Sequence, residues 1–219
     1  MNVRRAVLVA CCLLLLPAGL LSAAGTPNSD RPIPGRPILV CYGDSITAGL
    51  GLRDGEAYPD FLQKLLDERG YAYKVINQGT SGATTKDALD GLPYVLHLHP
   101  AIVIVEFGGN DGLRGLPVDQ TRSNLDQVLA GLEKAHVKIL FAGITLPPDY
   151  GPDYIRSFDK IFRDLAAKHH IAVVPMLYKD LVHVPGTIQG DGIHPTAKGS
   201  AIIAGTLFPV LKPLLHKGP

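Results

Sequence analysis

The chain has 219 residues, 46% of them hydrophobic and 19% charged, the balance of a globular protein rather than a disordered or fibrous one. Its 21 basic and 20 acidic residues give a net charge of +1, which argues against a nucleic-acid binder or a polybasic membrane-surface protein. Three cysteines are too few for a disulfide-stapled scaffold.

In chain order, the first feature is a short basic start ending in Arg4-Arg5. An apolar run from Ala6 to Leu21 follows, and then the small residues Ser22-Ala23-Ala24. This pattern predicts a removable export signal over 1–24, cut after Ala24 or, alternatively, after Ala23. An uncleaved anchor and a lipoprotein box at Leu8-Val9-Ala10-Cys11 are the weaker readings. Pro17 and Gly19 disfavour retention, and little hydrophobic sequence precedes Cys11. The expected location is therefore periplasmic or secreted. Without the signal, 19 basic residues face 20 acidic ones and Cys41 is the one remaining cysteine, so no internal disulfide is expected. Cys41 ends an apolar run and reads as a buried packing residue. No feature calls for an oligomer, and a monomer is expected.

Residues 25–36, with three prolines and two glycines, read as a surface lead-in to a single domain over 37–219. From Pro37 onward, short apolar runs alternate with helical patterns. Strands are predicted at 38–42, 73–76, 101–106, 137–141 and 171–174. Their near-continuous apolarity is that of parallel strands covered on both faces. Between them, Tyr58, Phe61, Leu62, Leu65 and Leu66 carry a helical period that Gly70 closes. Val118, Leu125, Val128, Leu129 and Leu132 mark a second helix, introduced by Pro117. Ile155, Phe158, Ile161, Phe162 and Leu165 mark a third. This alternation implies an α/β fold, a three-layer sandwich with right-handed crossovers, and a binding crevice at the carboxyl ends of the strands.

The segments expected at that crevice carry chemistry. Gly43-Asp44-Ser45 follows the first strand and places a serine at a strand-to-helix exit, in the field of free backbone N–H groups. Asn77-Gln78-Gly79-Thr80-Ser81-Gly82 follows the second, with Thr84 placed to cap the next helix. Gly108-Gly109-Asn110-Asp111 follows the third, and an asparagine carboxamide suits an oxyanion hole because it donates without carrying charge. Near the C-terminus, Asp191-Gly192-Ile193-His194 supplies an imidazole and a carboxylate to orient it. Each motif alone also reads as a turn or helix cap. Together they are the parts for acyl transfer.

These blocks, in this order, resemble those of the SGNH (GDSL) hydrolase family. The similarity covers nearly all of the mature chain and is greatest to the bacterial periplasmic branch with thioesterase, lysophospholipase and arylesterase activity. Gly108 to Gly115 and the later Leu146-Pro147…Tyr150-Gly151 carry that likeness. The resemblance implies a flavodoxin-like sheet of five parallel strands ordered 2-1-3-4-5. It also implies hydrolysis of esters, thioesters or lysolipids with no cofactor and no metal. Carried over, Ser45 is the nucleophile, His194 the base and Asp191 its orienter. The Ser45 N–H, the Gly82 N–H and the Asn110 side chain form the oxyanion hole. Gly82, rather than Gly79, occupies the family's position. Asp44 belongs to the signature as a structural residue. Leu113, Leu116, Leu146, Pro147 and Tyr150 flank the crevice, and Leu146 is the one named as a substrate contact.

Other readings remain beside this one. The runner-up is a carbohydrate O-deacetylase of the same family, but the chain has no tryptophan to stack on sugar rings, though it has eight tyrosines. A metal-dependent phosphoesterase needs an early Asp-x-His pair that is missing, and the one His-x-His pair (His97, His99) precedes a strand instead of following one. That pair and His169-His170 read as helix-end residues, while His136 and His183 are lone histidines with no matching partners. A non-catalytic binder would ordinarily lack part of the triad.

Overall fold

A computed structural model describes residues 35–217. The predicted signal over 1–24 and most of the lead-in lie outside the described residues. Five strands, β1 (Ile38–Gly43), β2 (Lys74–Gly79), β3 (Ile102–Glu106), β4 (Lys138–Ala142) and β5 (Ala172–Val174), form one parallel sheet in the order β2-β1-β3-β4-β5. The inner strands β1 and β3 are buried at every residue, which is why their sequences are apolar without alternation. At the edge, β2 runs three residues past the predicted strand, through polar Asn77-Gln78-Gly79. Pairing with β1 up to Gly43↔Gly79 holds this polar end in the sheet, so it carries no apolar signal.

Helices α1 (Ser45–Ala48), α2 (Tyr58–Glu68), α3 (Thr85–His97), α4 (Gly109–Leu113), α5 (Val118–Lys134), α6 (Pro152–Lys168) and α7 (Ala197–Leu211) complete the domain. The long ones bury the predicted stripes, including Tyr58, Leu62 and Leu66 on α2 and Phe158, Ile161 and Phe162 on α6. Phe162 packs between Phe141 and Phe158, with ring centroids 5.2 and 5.5 Å away. Cys41 is fully buried, and burial pushes its thiol above the ordinary range, in keeping with a packing role.

Each helix that feeds a strand ends on a left-handed residue. After α2 it is Gly70 (φ 73°), with Tyr71 N–H on Leu66 C=O and Gly70 N–H on Asp67 C=O. After α3, α5 and α6 it is a histidine: His99 (φ 51°), His136 (φ 57°) and His170 (φ 51°). His99 and His170 belong to the pairs that the sequence places at helix ends, His136 does not, and the backbone supplies the reason common to all three: a sharp reversal into the next strand. His136 is exposed, so its side chain gains little from packing there. The left-handed penalty on a residue bearing a Cβ exceeds the extra chain entropy of glycine. His136→Gly is therefore expected to raise the urea midpoint, by about 0.5–1 kcal/mol of stability. A lower midpoint would show that the imidazole contributes more than the backbone costs.

Candidate active site

The two shortest helices, α1 and α4, begin directly after the inner strands β1 and β3 and point their first turns into one cleft. Asp44 caps α1, its Oδ1 accepting from Ile46 N–H at 3.0 Å. Ser45, the first helical residue, therefore has an N–H among the helix's unsatisfied donors. β2 lies close beneath this turn. A Cβ at Gly79 would come within 2.6 Å of the Ala48 Cα, so only glycine lets the strand pass. Gly79 thus serves packing, while Gly82 lines the cleft.

Ser45 Oγ lies 2.8 Å from His194 Nε2, and His194 Nδ1 lies 2.6 Å from Asp191 Oδ2. A carboxylate only accepts, so Nδ1 carries the proton and Nε2 is free to accept from the serine hydroxyl. The other Asp191 oxygen, Oδ1, accepts from the N–H groups of Ile193 (2.9 Å) and His194 (3.0 Å). The Ile193 N–H, then the His194 ring and the His194 N–H, hold the Asp191 carboxyl down to about 2.

Asn110 reaches the same space from α4. Both of its Nδ2 hydrogens already have acceptors, Ala83 C=O at 2.9 Å and Asp44 Oδ2 at 3.3 Å. An incoming oxyanion must therefore compete for one of them. The Asp44 contact is the longer and weaker of the two. Gly82 has φ 80°, and Arg114 Nη2 fixes its peptide by donating to Gly82 C=O at 2.9 Å. Asp111 faces away from the cleft and accepts from Thr85 N–H at the start of α3 at 2.9 Å, locking the α4 turn to α3.

The cleft has a volume of about 570 Å³ and is mostly apolar. Of the five flanking residues anticipated from sequence, Leu113, Leu146 and Pro147 line it. Leu116 and Tyr150 do not: the Tyr150 hydroxyl instead donates to Leu113 C=O at 2.7 Å, and the Tyr154 hydroxyl donates to Leu116 C=O at 2.9 Å. Leu146 is 5% exposed and presents only part of its side chain to the cleft. His97 and His99 sit before β3, at the opposite end of the sheet.

Three residues that hold the site have no role assigned from the sequence. The Tyr178 hydroxyl donates to Ile193 C=O at 3.0 Å and steadies the loop that bears His194. Burial pushes its phenol above the ordinary range, so it remains a donor. Gln189 Nε2 donates to Leu50 C=O and Pro195 C=O, both at 2.8 Å, tying the loop after α1 to the loop of His194. Arg114 lies within the glycine-rich block Gly108 to Gly115, but nothing in its spacing indicates that it grips Gly82.

Residues 41–202 match the model of the GDSL-like Lipase/Acylhydrolase family. The chain is 38% identical to Esterase TesA of Pseudomonas aeruginosa, over 96% of this chain and 100% of that protein. It is 35% identical to Thioesterase 1/protease 1/lysophospholipase L1 of Escherichia coli, over 81% of this chain and 85% of that protein. A crystal structure of TesA superposes with a TM-score of 0.78 at 40% identity, covering 81% of this chain and 99% of that one. The chain belongs to the GDSL-like Lipase/Acylhydrolase family.

Proposed function

We propose that this chain is a serine hydrolase of carboxylic esters and thioesters that works through an acyl-enzyme on Ser45. The observation that carries the reading is the continuous chain from Ser45 Oγ through His194 to Asp191, opening on an apolar cleft. His194 Nε2 takes the hydroxyl proton as Ser45 attacks the acyl carbonyl. Asn110 and the N–H groups of Ser45 and Gly82 receive the oxyanion. His194 then protonates the departing alcohol or thiol, and water repeats the steps on the acyl-enzyme. The named activities of the relatives include esterase, thioesterase and lysophospholipase.

The leaving atom must lie beside His194 Nε2, which orients the substrate. Ile193 adjoins His194 and Gln189 ties Leu50 to the same loop, so we assign the leaving group to the rim of Leu50, Val182 and Ile193. The acyl chain faces Leu113, Ile144, Leu146 and Pro147. Leu50 and Val182 are 48% and 56% exposed, large apolar side chains held open to solvent at the mouth of the cleft. That exposure suits apolar leaving groups. Export is also part of this reading, supported by the pattern of 1–24. N-terminal sequencing of the secreted protein tests it, and an N-terminus at Met1 would refute it.

The first experiment is hydrolysis of a short p-nitrophenyl ester with and without a fluorophosphonate. A single adduct on Ser45 that abolishes turnover is expected. Folded protein with neither adduct nor turnover would overturn the proposal. Asn110→Ala should lower kcat by ~10²–10³. Asp191→Asn should lower it by ~10³–10⁴, because the amide offers Nδ1 a donor where it needs an acceptor. Since the Asp191 pKa is depressed to about 2, its ionic support for His194 is present above the ordinary carboxylate range near ~4 and is lost only as pH falls through about 2. Acidification from neutral to pH ~4 should therefore leave the orienting bond intact. It can be followed by the His194 ring proton signal in NMR, and loss of that signal's Asp191 coupling above pH ~4 would contradict the assignment. Leu50→Ser with Val182→Ser should reduce kcat/KM for esters with hexyl or aryl leaving groups and spare ethyl esters of the same acid. Equal losses across the leaving-group series would remove these two residues from that subsite.

A further inference from the structure

The chemistry above leaves one buried acid unused. Glu106 ends β3, the central strand, pairs in register with Gly43 at the end of β1, and is wholly inaccessible to solvent. Its Oε2 accepts from Thr47 Oγ1 at 2.8 Å, and Thr47 Oγ1 lies 3.0 Å from the Tyr58 hydroxyl. Thr47 has one proton and gives it to Glu106, so Tyr58 donates to Thr47. Oε1 of Glu106 has no hydrogen-bond partner among the described residues. A Cβ at Gly43 would stand 2.7 Å from Oε2, which shows how tightly the acid fits beneath the serine turn.

The strongest charge acting on Glu106 is another carboxylate, Asp44, itself 2% exposed. The other titratable groups around the pair are Tyr58 of α2, Tyr178 of the loop after β5, Asp111 of α4 and His194. Of these, only His194 can bring a positive charge. Burial, and then the charge of Asp44, hold the Glu106 carboxyl well above the usual range. Burial raises Asp44 to about 6, against the opposing pull of Ile46 N–H and His194. Two carboxylates so placed cannot both ionise.

We propose that Glu106 is a positioning residue of the oxyanion hole: kept as the neutral acid, it directs its carboxyl proton at Asp44, and through Asp44 it holds the Asn110 carboxamide in line. The shared proton leaves one negative charge, enough to accept from Ile46 N–H and Asn110 Nδ2. It removes the second charge, which would repel a developing oxyanion. The positioning step rests on Asn110 being an oxyanion donor, as proposed above. The protonation state does not.

Two variants separate the parts. Glu106→Gln is neutral at every pH and keeps a donor group and an acceptor, whereas Glu106→Leu keeps neither. The first measurement is urea stability of the wild type and Glu106→Gln between pH 5 and 9. The folded protein retains a proton that the unfolded chain loses above ~4.3. The wild type's unfolding constant should therefore rise about tenfold per pH unit relative to Glu106→Gln. Parallel curves would mean an ionised Glu106 and would overturn the proposal, whether or not the protein cleaves esters.

The second measurement is kcat and KM on a p-nitrophenyl ester across pH. Glu106→Gln should stay close to wild type. Glu106→Leu should lose about 10- to 100-fold in kcat at unchanged KM. Its acid limb should move to higher pH, because Asp44 loses the donor that favours its ionised form. A merely structural role would lower stability in both variants without moving that limb. A folded Glu106→Leu with wild-type kcat and pH profile, or a Glu106→Gln as impaired as Glu106→Leu, would overturn the positioning role. The stability comparison needs only Glu106→Gln, so the protonation state is decided even where Glu106→Leu does not fold. An inactive wild type that still shows the tenfold slope would defeat the hydrolase reading and support the buried acid.

Discussion

Everything in this site depends on a contact between the two ends of the domain, the 2.8 Å approach of Ser45 Oγ to His194 Nε2 across 149 residues of sequence. Each partner is first fixed by its own surroundings. Ser45 is fixed by the end of β1, the Asp44 cap and the strand that passes beneath the turn. His194 is fixed by two bonds to Asp191, by the Ile193 N–H bond to the same carboxylate, and by Tyr178 gripping the neighbouring carbonyl. The gap between the two halves is then set by Gln189, whose single amide nitrogen bonds a carbonyl from each side. A reacting pair needs placement to within a fraction of an ångström, and short local frames joined by one bridging side chain provide it without a long loop.

The site sits where the sheet's apolar logic ends. β1 and β3 are buried throughout, yet they deliver Asp44, Ser45 and Glu106 at or just beyond their ends. Burying two carboxyl groups there opposes folding, and the core beneath has to offset that cost. The fold tolerates the arrangement because Ile46 N–H in the first turn of α1 donates to Asp44 and because, in the proposal above, one proton on the pair halves the charge to be buried. Local rules are broken only at the crevice, as expected where function rather than packing selects the residue.

The inner strands, the helix stripes and the four polar blocks were legible in the sequence because each is written locally. Apolar runs of five or six residues, a 3.6-residue period and the Asp191-x-x-His194 spacing all fall within a few residues of chain. The polar end of β2 was not legible, since pairing with β1 rather than hydrophobicity makes it a strand. Arg114, Tyr178 and Gln189 were invisible for a related reason. Their partners lie 32, 15 and 139 residues away, and no spacing rule reaches that far. Glu106 reads in sequence as the polar close of a strand, and only its total burial beside Asp44 reveals a strained acid.

The engaged state of Asn110 bears on how the oxyanion hole can favour the transition state. A donor with no partner would bind the ground-state carbonyl as well as the oxyanion, and part of its value would go to substrate binding rather than to rate. Asn110 instead holds Ala83 C=O at 2.9 Å, which fixes its plane, and Asp44 at 3.3 Å, which occupies its second hydrogen only weakly. A neutral ester carbonyl gains little by displacing that second bond, because one modest hydrogen bond is exchanged for another. A full oxyanion accepts a charge-assisted bond about twice as strong, so the exchange becomes favourable as the charge develops. The weak bond to Asp44 therefore keeps the amide aimed at the site in the resting protein and discriminates against the ground state during turnover.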